Sequence, residues 1–301
     1  VFQALVIVLV LTAGTAVIMW LGEQINDKGI GNGISIILFA GIVSRIPSLI
    51  TQLFGGTGTG SYWSRGGVYY FLSPFVCVIL VLMIAFIVWM DNAERRIPVQ
   101  YAKRVVGRKM YGGQNTHIPI KVNMSGVMPV IFAGSILSIP PTIQMFIPDA
   151  KLSASKFWTG FFNVFSSTHW AYGIIYFILI IAFAYFYSSI QYNPIEMSQN
   201  IAKNGGMIPG IRTGRPTSDY IARIISRITL LGALLLSVVA IFPILFSQIT
   251  TLILSKATSY ADGMNISLGG TSIIILVGVA LETVKQLESQ MMMRHYKGFL
   301  D

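Results

Sequence analysis

Acidic side chains, histidine and cysteine are scarce in this sequence, and each scarcity closes off a class of chemistry. Aspartate and glutamate together number 11, histidine three and cysteine one in 301 residues. The lone Cys77 excludes an intrachain disulfide. Within the apolar run 74–90 it reads as a small hydrophobe rather than a metal-binding thiol. His117, His169 and His295 stand far apart in the chain, so neither a metal nor a cofactor is expected. There is no HExxH, no GxSxG, no phosphate-binding glycine loop and no aspartate pair inside an apolar run. Serines within those runs have no histidine beside them in any run, and serine in such a setting ordinarily bonds backbone or a neighbouring helix. An enzyme is not the expectation.

Charge of either sign is also sparse, at 11% against about a quarter in soluble domains. Apolar residues make up 54% of the chain, and the mean hydropathy is +0.69. A bilayer-spanning helix needs roughly 20 mostly apolar residues. Seven such segments can be drawn: Val1–Leu21, Gly31–Ile50, Val68–Met90, Val127–Ile147, Trp170–Ile190, Ile228–Ser247 and Leu268–Val284. The fold class expected is therefore all-α, a polytopic membrane protein with about seven transmembrane helices. Arg45, Asp91 and Glu282 lie near the ends of their runs. Coupled transporters and pumps place ionisable groups inside the bundle, so a secondary transporter is disfavoured. The chain opens at Val1 inside an apolar run, with no initiator Met and no basic leader of the secretory kind. The expected object is a piece of a longer protein.

Basic residues alternate with the spans. Lys28, then Arg95 to Lys121, then Lys203 to Arg227, then Lys285, Arg294 and Lys297 crowd one set of connections. The other set holds only Arg45, Arg65, Lys151, Lys156 and Lys256. The positive-inside rule puts the two long basic loops, at about 91–126 and 191–227, and the C-terminus in the cytoplasm. In the first loop Ile97, Val99 and Tyr101 alternate with polar residues, as do Ile118, Ile120 and Val122. This pattern predicts an antiparallel ribbon with Lys103, Arg104, Arg108 and Lys109 towards its tip. The second loop opens with Asn193, Pro194 and Glu196, an N-cap, a first-turn proline and an acidic third residue that together predict a helix start. Gly205-Gly206 is expected to end that helix, and Thr217 to cap the one that follows. Such basic surfaces suit a polyanionic or acidic partner, ribosomal RNA being one candidate, or anionic lipid. Taken alone, these residues leave open passive conduction, structural packing as a scaffold or insertase, and a gated apolar pore.

Five short stretches narrow the choice. Gly22-Glu23-Gln24-Ile25 running on to Gly29–Ile36, Tyr101–Arg104, Thr116–Met124, Pro209–Arg212 and Gly269–Ser272 resemble, in order, signature stretches of the bacterial SecY family of protein-conducting channels. The resemblance implies a ten-helix channel of two inverted halves, with this chain starting at the fourth helix. Residues 1–66 would be the last two helices of the N-terminal half, and 67–301 the C-terminal half with five transmembrane helices. The first three helices, the plug and one wall of the lateral gate would lie outside the chain. It further implies passage of unfolded polypeptides across the cell membrane of a bacterium and sideways release of apolar segments into lipid. The pore ring would be Ile34, Leu38, Ile131 and Ile275, with Leu38 where relatives commonly carry Ile. The lateral gate would include Ser135, Ile136 and Pro140, on a helix that Pro129, Pro140 and Pro141 can bend. Arg104, Arg108, Lys109 and Arg212 would meet the ribosome or the motor ATPase SecA. Small membrane subunits of the SecE and SecG kind, signal sequences and nascent chains complete the implied partners.

Overall fold

In the computed structural model the described residues are 2–55, 62–63, 67, 69–101, 104–106, 109–111, 115–147, 156–166, 169–257 and 269–297. By contacts the chain divides into two compact units, Val1–Ile84 with Ile266–Asp301, and Ala85–Asn265.

The first unit contains α1 (Phe2–Lys28), α2 (Gly33–Val43), α3 (Ile46–Phe54), the first part of α4 (Tyr69–Asn92) and α10 (Gly270–Lys297). Helix α2 packs against both α1 and α10. The joint between α1 and α2 is the glycine-rich signature stretch. Gly31 adopts φ +91°, a conformation that only glycine takes without cost. Asn32 caps α2, its side-chain oxygen accepting from the amides of Ile34 and Ser35 at 3.1 and 3.4 Å. Asn26 on α1 accepts from the Gly33 amide at 2.7 Å. A Cβ on Gly33 would land on the Gly22 carbonyl, so close approach of the two helices requires glycine there.

The apolar run Gly31–Ile50 is not one helix. It breaks at Ser44-Arg45 and resumes as α3, with Pro47 in the first turn. Proline has no amide to give and its ring collides with the carbonyl four residues back, which favours a break ahead of it. Helix α3 is amphipathic and buries Leu49 and Leu53.

The second unit holds α5 (Met128–Gln144), α6 (Lys156–Val164), α7 (Trp170–Gln191), α8 (Pro194–Lys203) and α9 (Arg215–Ala257). Helix α7 packs against α9 and α5, and α6 against α5 and α7. Phe132 and Phe183 stack at 5.9 Å, and a Cβ on Gly134 would sit 3.8 Å from the Tyr176 hydroxyl. The higher number pairs with the lower across α5 and α7, so the two run antiparallel.

Among the described residues six helical stretches are long and apolar enough to cross a membrane. The segment expected as the fourth span, Val127–Ile147, gives a helix of only 17 residues, about 26 Å against a hydrocarbon core of about 30 Å. Gly126 at φ +61° turns the chain just before it, and residues 145–147 leave it in turns. The sixth segment is longer than expected, because α9 runs 43 residues, or about 65 Å.

Strands occupy the loops. β1 (Glu94–Tyr101) pairs antiparallel with β4 (Asn115–Lys121), with Ile97 opposite Ile118 and Val99 opposite Thr116. β2 (Arg104–Val106) pairs with β3 (Lys109–Tyr111). The ribbon expected from period-2 alternation is present. A fifth strand, β5 (Gly206–Met207), adds to the free edge of β1.

Candidate functional site: a basic module built from two loops

The two long basic loops share one hydrophobic core. Ile97, Val99, Ile120 and Met124 from the first meet Ile201, Ile208, Ile221 and Ile225 from the second and from the start of α9. β1 contributes alternate residues, Ile97 and Val99, as the pleat requires. α8 contributes Ile201, and α9 contributes Ile221 and Ile225 one turn apart. Gly206 in β5 is closely packed, since a Cβ there would press on the Tyr101, Ile201 and Val99 side chains at 3.0 to 3.1 Å.

Hydrogen bonds set the loop that follows. Asn193 caps α8, accepting from the amides of Ile195 and Glu196 at 3.1 and 3.5 Å, as its Asn-Pro-x-Glu start predicts. Buried Ser198 donates to the Gly214 carbonyl at 3.0 Å. Thr217 does not cap α9. It is the third residue of that helix, buried, and donates to the Arg212 carbonyl at 2.8 Å. Pro216 falls at the second helical position, where no amide is needed, and so lets the helix begin earlier than expected. Segment 208–214, with Gly210 and Gly214 at positive φ, is thereby tied to both α8 and α9.

On this scaffold Arg95, Arg96, Lys121, Lys203, Arg212, Arg215, Arg223 and Arg227 are all exposed. Glu94, Glu196 and Asp219 are the exposed acidic residues of the same segments, where Asp91 is half-buried, and Arg96 is paired with Glu94 at 2.7 Å. The surface is strongly cationic. Arg104 and Lys109 lie on β2 and β3, which pair with each other. Arg108, with Lys103 and the glycines at 107, 112 and 113, lies outside the described residues.

The module is continuous with apolar helix. α9 leaves the module core at Ile225 and Ile228 and runs on through its apolar stretch. Gly232 abuts the Val122 carbonyl with no room for a Cβ, and buried Ser188 of α7 shares a hydrogen bond of 2.9 Å with buried Thr229. At the other edge, Val122 donates its amide to the Ala93 carbonyl at 2.9 Å. The Asn123 amide nitrogen donates to Asp91 at 3.3 Å. No reading of the loops one at a time finds the shared core. The signal available was the set of isoleucines at 201, 208, 221 and 225 inside segments otherwise polar enough to be plain loop.

The remaining expected residues fall in both units. Ile34 and Leu38 are one turn apart on α2, 57% and 50% exposed, and share a face. Ile34 also borders Gly22, whose added Cβ would lie 3.3 Å from its Cγ1. Ile275 is half-buried on α10, which packs on α2. Ile131 belongs to the second unit and is half-buried on α5. Ser135 and Ile136 are exposed on α5 and Pro140 is half-buried within it. The Ser135 hydroxyl donates to the Ile131 carbonyl at 2.8 Å. Ser138 and Thr142 repeat the pattern, a form of back-bonding that loosens and bends helices.

A sequence profile of the SecY family matches residues 2–284. The chain belongs to the SecY family. Along its whole length it is 46% identical, over 305 residues, to the protein translocase subunit SecY of Mycobacterium bovis. It is 45% identical to that of Mycobacterium leprae and 44% to that of Streptomyces galbus. The chain spans 64% to 65% of the length of these relatives. Its fold is similar to two solved structures, each 18% identical and each matching 92% of this chain. One concerns the plug domain of a SecY protein and the closed state of its translocation channel, at a TM-score of 0.54 over 64% of that chain. The other is of a protein conducting channel, at 0.52 over 63%. This SecY-family chain is thus a polytopic helical membrane protein, as its hydropathy pattern requires.

Proposed function

We propose that the chain forms the greater part of a protein-conducting channel subunit, one that passes unfolded polypeptides across a membrane and releases apolar segments sideways into lipid. The observation that carries this reading is its identity, along the full chain, to relatives named as protein translocase subunits. Residues 1–66 would close the N-terminal half of the full-length channel and 67–301 make up the C-terminal half. Ile34, Leu38 and Ile275, with Ile131, would supply the apolar waist of the complete channel. The exposure of Ile34 and Leu38 on one face of α2 supports that role. An apolar constriction disfavours water and ions, yet reads no particular sequence in a sliding chain. Ser135, Ile136 and Pro140 would belong to a moving gate helix, supported by the short, proline-containing, back-bonded character of α5. The membrane would be the bacterial cell membrane, with the basic module and the C-terminus in the cytoplasm.

The module would be the docking platform for the ribosome and its RNA, or for SecA. Arg212 sits on a tied loop, Arg104 and Lys109 belong to the ribbon, and Arg108, next to Lys109 in sequence, would act with them. SecE- and SecG-like subunits would complete the channel. The chain would take its driving energy from a partner, for it carries no nucleotide-binding motif.

The deciding experiment is conductance of the full-length channel in planar bilayers. Ile34→Asn together with Ile275→Asn should raise resting ion leak, because polar side chains stabilise water in the waist. Unchanged leak would remove the sealing role. For the module, Arg212→Glu should weaken SecA or ribosome binding most at low salt and less as screening rises. Binding unaffected at every salt concentration would leave these charges as topology signals alone. Cysteine labelling at Gly112 and at Gly58 should come from opposite sides of the membrane.

A further inference from the structure

We propose that α6 is a membrane-interface anchor, lying in the boundary between lipid headgroups and acyl chains with Trp158 and Phe161 immersed in it. Sequence and hydropathy leave α6 unassigned: at nine residues it is too short to span a bilayer. Three of its aromatic residues, however, share one side. Phe161 and Phe162 follow Trp158 by three and four residues, which places them on one side of the helix, and Phe165 comes in the turn just after it. Their rings touch in sequence, with centroids 5.8 Å apart for Trp158 and Phe162, 5.5 Å for Phe161 and Phe162 and 5.1 Å for Phe161 and Phe165. Phe162 turns into the protein and is 3% exposed, and α6 packs on α5 and α7. Trp158 and Phe161 stay 49% and 41% exposed, while Asn163, on the opposite side, is exposed and polar.

Position supplies the occupant. Helices α5 and α7 are antiparallel neighbours, so the end of α5 and the start of α7 lie at one level. At that level Met145 and Phe146 are 86% and 85% exposed and Trp170, the first residue of α7, is 58% exposed. Helices α5 and α7 themselves carry exposed apolar residues, among them Ile139, Ile143, Ile174 and Ile178. Water would penalise so much bare apolar surface in one place. The hydrocarbon core would penalise Asn163, His169 and the turn at residues 165–166. The interfacial layer accommodates both, and it is where tryptophan concentrates in membrane proteins. Amphipathic helices rest there with their apolar face about 5–10 Å deep. The proposal concerns lipid contact at one end of the second unit and holds whichever polypeptide the channel carries.

The test uses the full-length protein in lipid nanodiscs with its other tryptophans changed to phenylalanine, so that Trp158 alone is read. Lipids brominated near the head of the acyl chain should remove most of its emission. Lipids brominated near the chain's methyl end should remove less, and aqueous iodide little. Quenching by iodide but not by lipid would place Trp158 in water and overturn the proposal. So would protection from all three quenchers, which would mean that a protein surface, such as a small subunit or a second copy, covers α6. A nitroxide at Phe161→Cys in a Cys77→Ser background gives an independent reading without removing tryptophan. Its collisions with oxygen should exceed those with a water-soluble nickel complex, and the reverse ratio would overturn the proposal as well.

Discussion

The basic module and helix α1 hold their shapes by opposite means. Of the 27 residues of α1 only Gly22 is buried. Leu9, Leu11 and Trp20 are 60%, 64% and 58% exposed. Helix α8, with 10 residues and a polar composition, nonetheless buries Ser198 and Ile201. The module is in contact with water, so removing isoleucine from solvent drives its assembly. For α1 the solvent is lipid, as apolar as leucine itself, and a leucine gains little by leaving it. Contact there concentrates where backbones approach closely, at Gly22 and Gly33. Large apolar residues organise the first region and small ones the second.

The strongest way to break this comparison is to remove an isoleucine from each side. Ile221, 0% exposed in the module core, should cost about 3 kcal/mol as alanine through lost transfer energy and an unfilled cavity. Hydrogen exchange of the ribbon amides 94–101 should accelerate accordingly. Leu9→Ala on the exposed side of α1 should stay within about 0.5 kcal/mol in mixed-micelle unfolding. A comparable penalty at both positions would show that lipid-facing and module residues obey one rule.

Glycines sharpen it next. Gly33→Ala puts a methyl group onto the Gly22 carbonyl and should destabilise the α1–α2 pair by about 2 kcal/mol, the usual range for overpacking. Gly41, eight residues along the same helix, has nothing within 4 Å of its absent Cβ. Gly41→Ala should therefore stabilise, by about 0.5–1 kcal/mol, through helix propensity alone. Thermal melting of the purified protein should separate the two in sign. Equal effects would deny that close approach at Gly33 matters.

How much of this was legible beforehand follows the same division. The long helices rest on apolar runs of roughly 20 residues, and the ribbon and the Asn193 cap on patterns a few residues wide, all of which the chain carries openly. The break at Ser44-Arg45 was signalled by Pro47 but hidden by the uniform hydropathy around it. The shared core was not legible, because Val99 and Ile221 meet across more than a hundred residues of sequence. Nor was β5, two residues long, which exists only because the edge of β1 is there to pair with. The waist residues Ile34, Leu38, Ile131 and Ile275 were accessible through resemblance alone. On an apolar helix nothing in periodicity separates a pore-facing isoleucine from one that faces lipid.

The smallest expected effect lies at the junction of the two regimes. Ser188 and Thr229, 3% and 2% exposed, share a hydrogen bond of 2.9 Å between α7 and α9, one turn beyond Ile225, the last buried isoleucine of the module core. In a water-excluding protein core, breaking such a bond and stranding one partner costs about 1–3 kcal/mol. Within a membrane bundle the measured average is about 0.6 kcal/mol, because the separated helices find other partners. Both hydroxyls have such an alternative, since serine and threonine in a helix can return to the carbonyl four residues back. A double-mutant cycle of Ser188→Ala and Thr229→Val, read by unfolding in mixed micelles, should therefore give a coupling of about 0.6 kcal/mol. A coupling near 2 kcal/mol would extend the module's rules past Thr229 and move the boundary between the two regimes further along α9, towards Gly232.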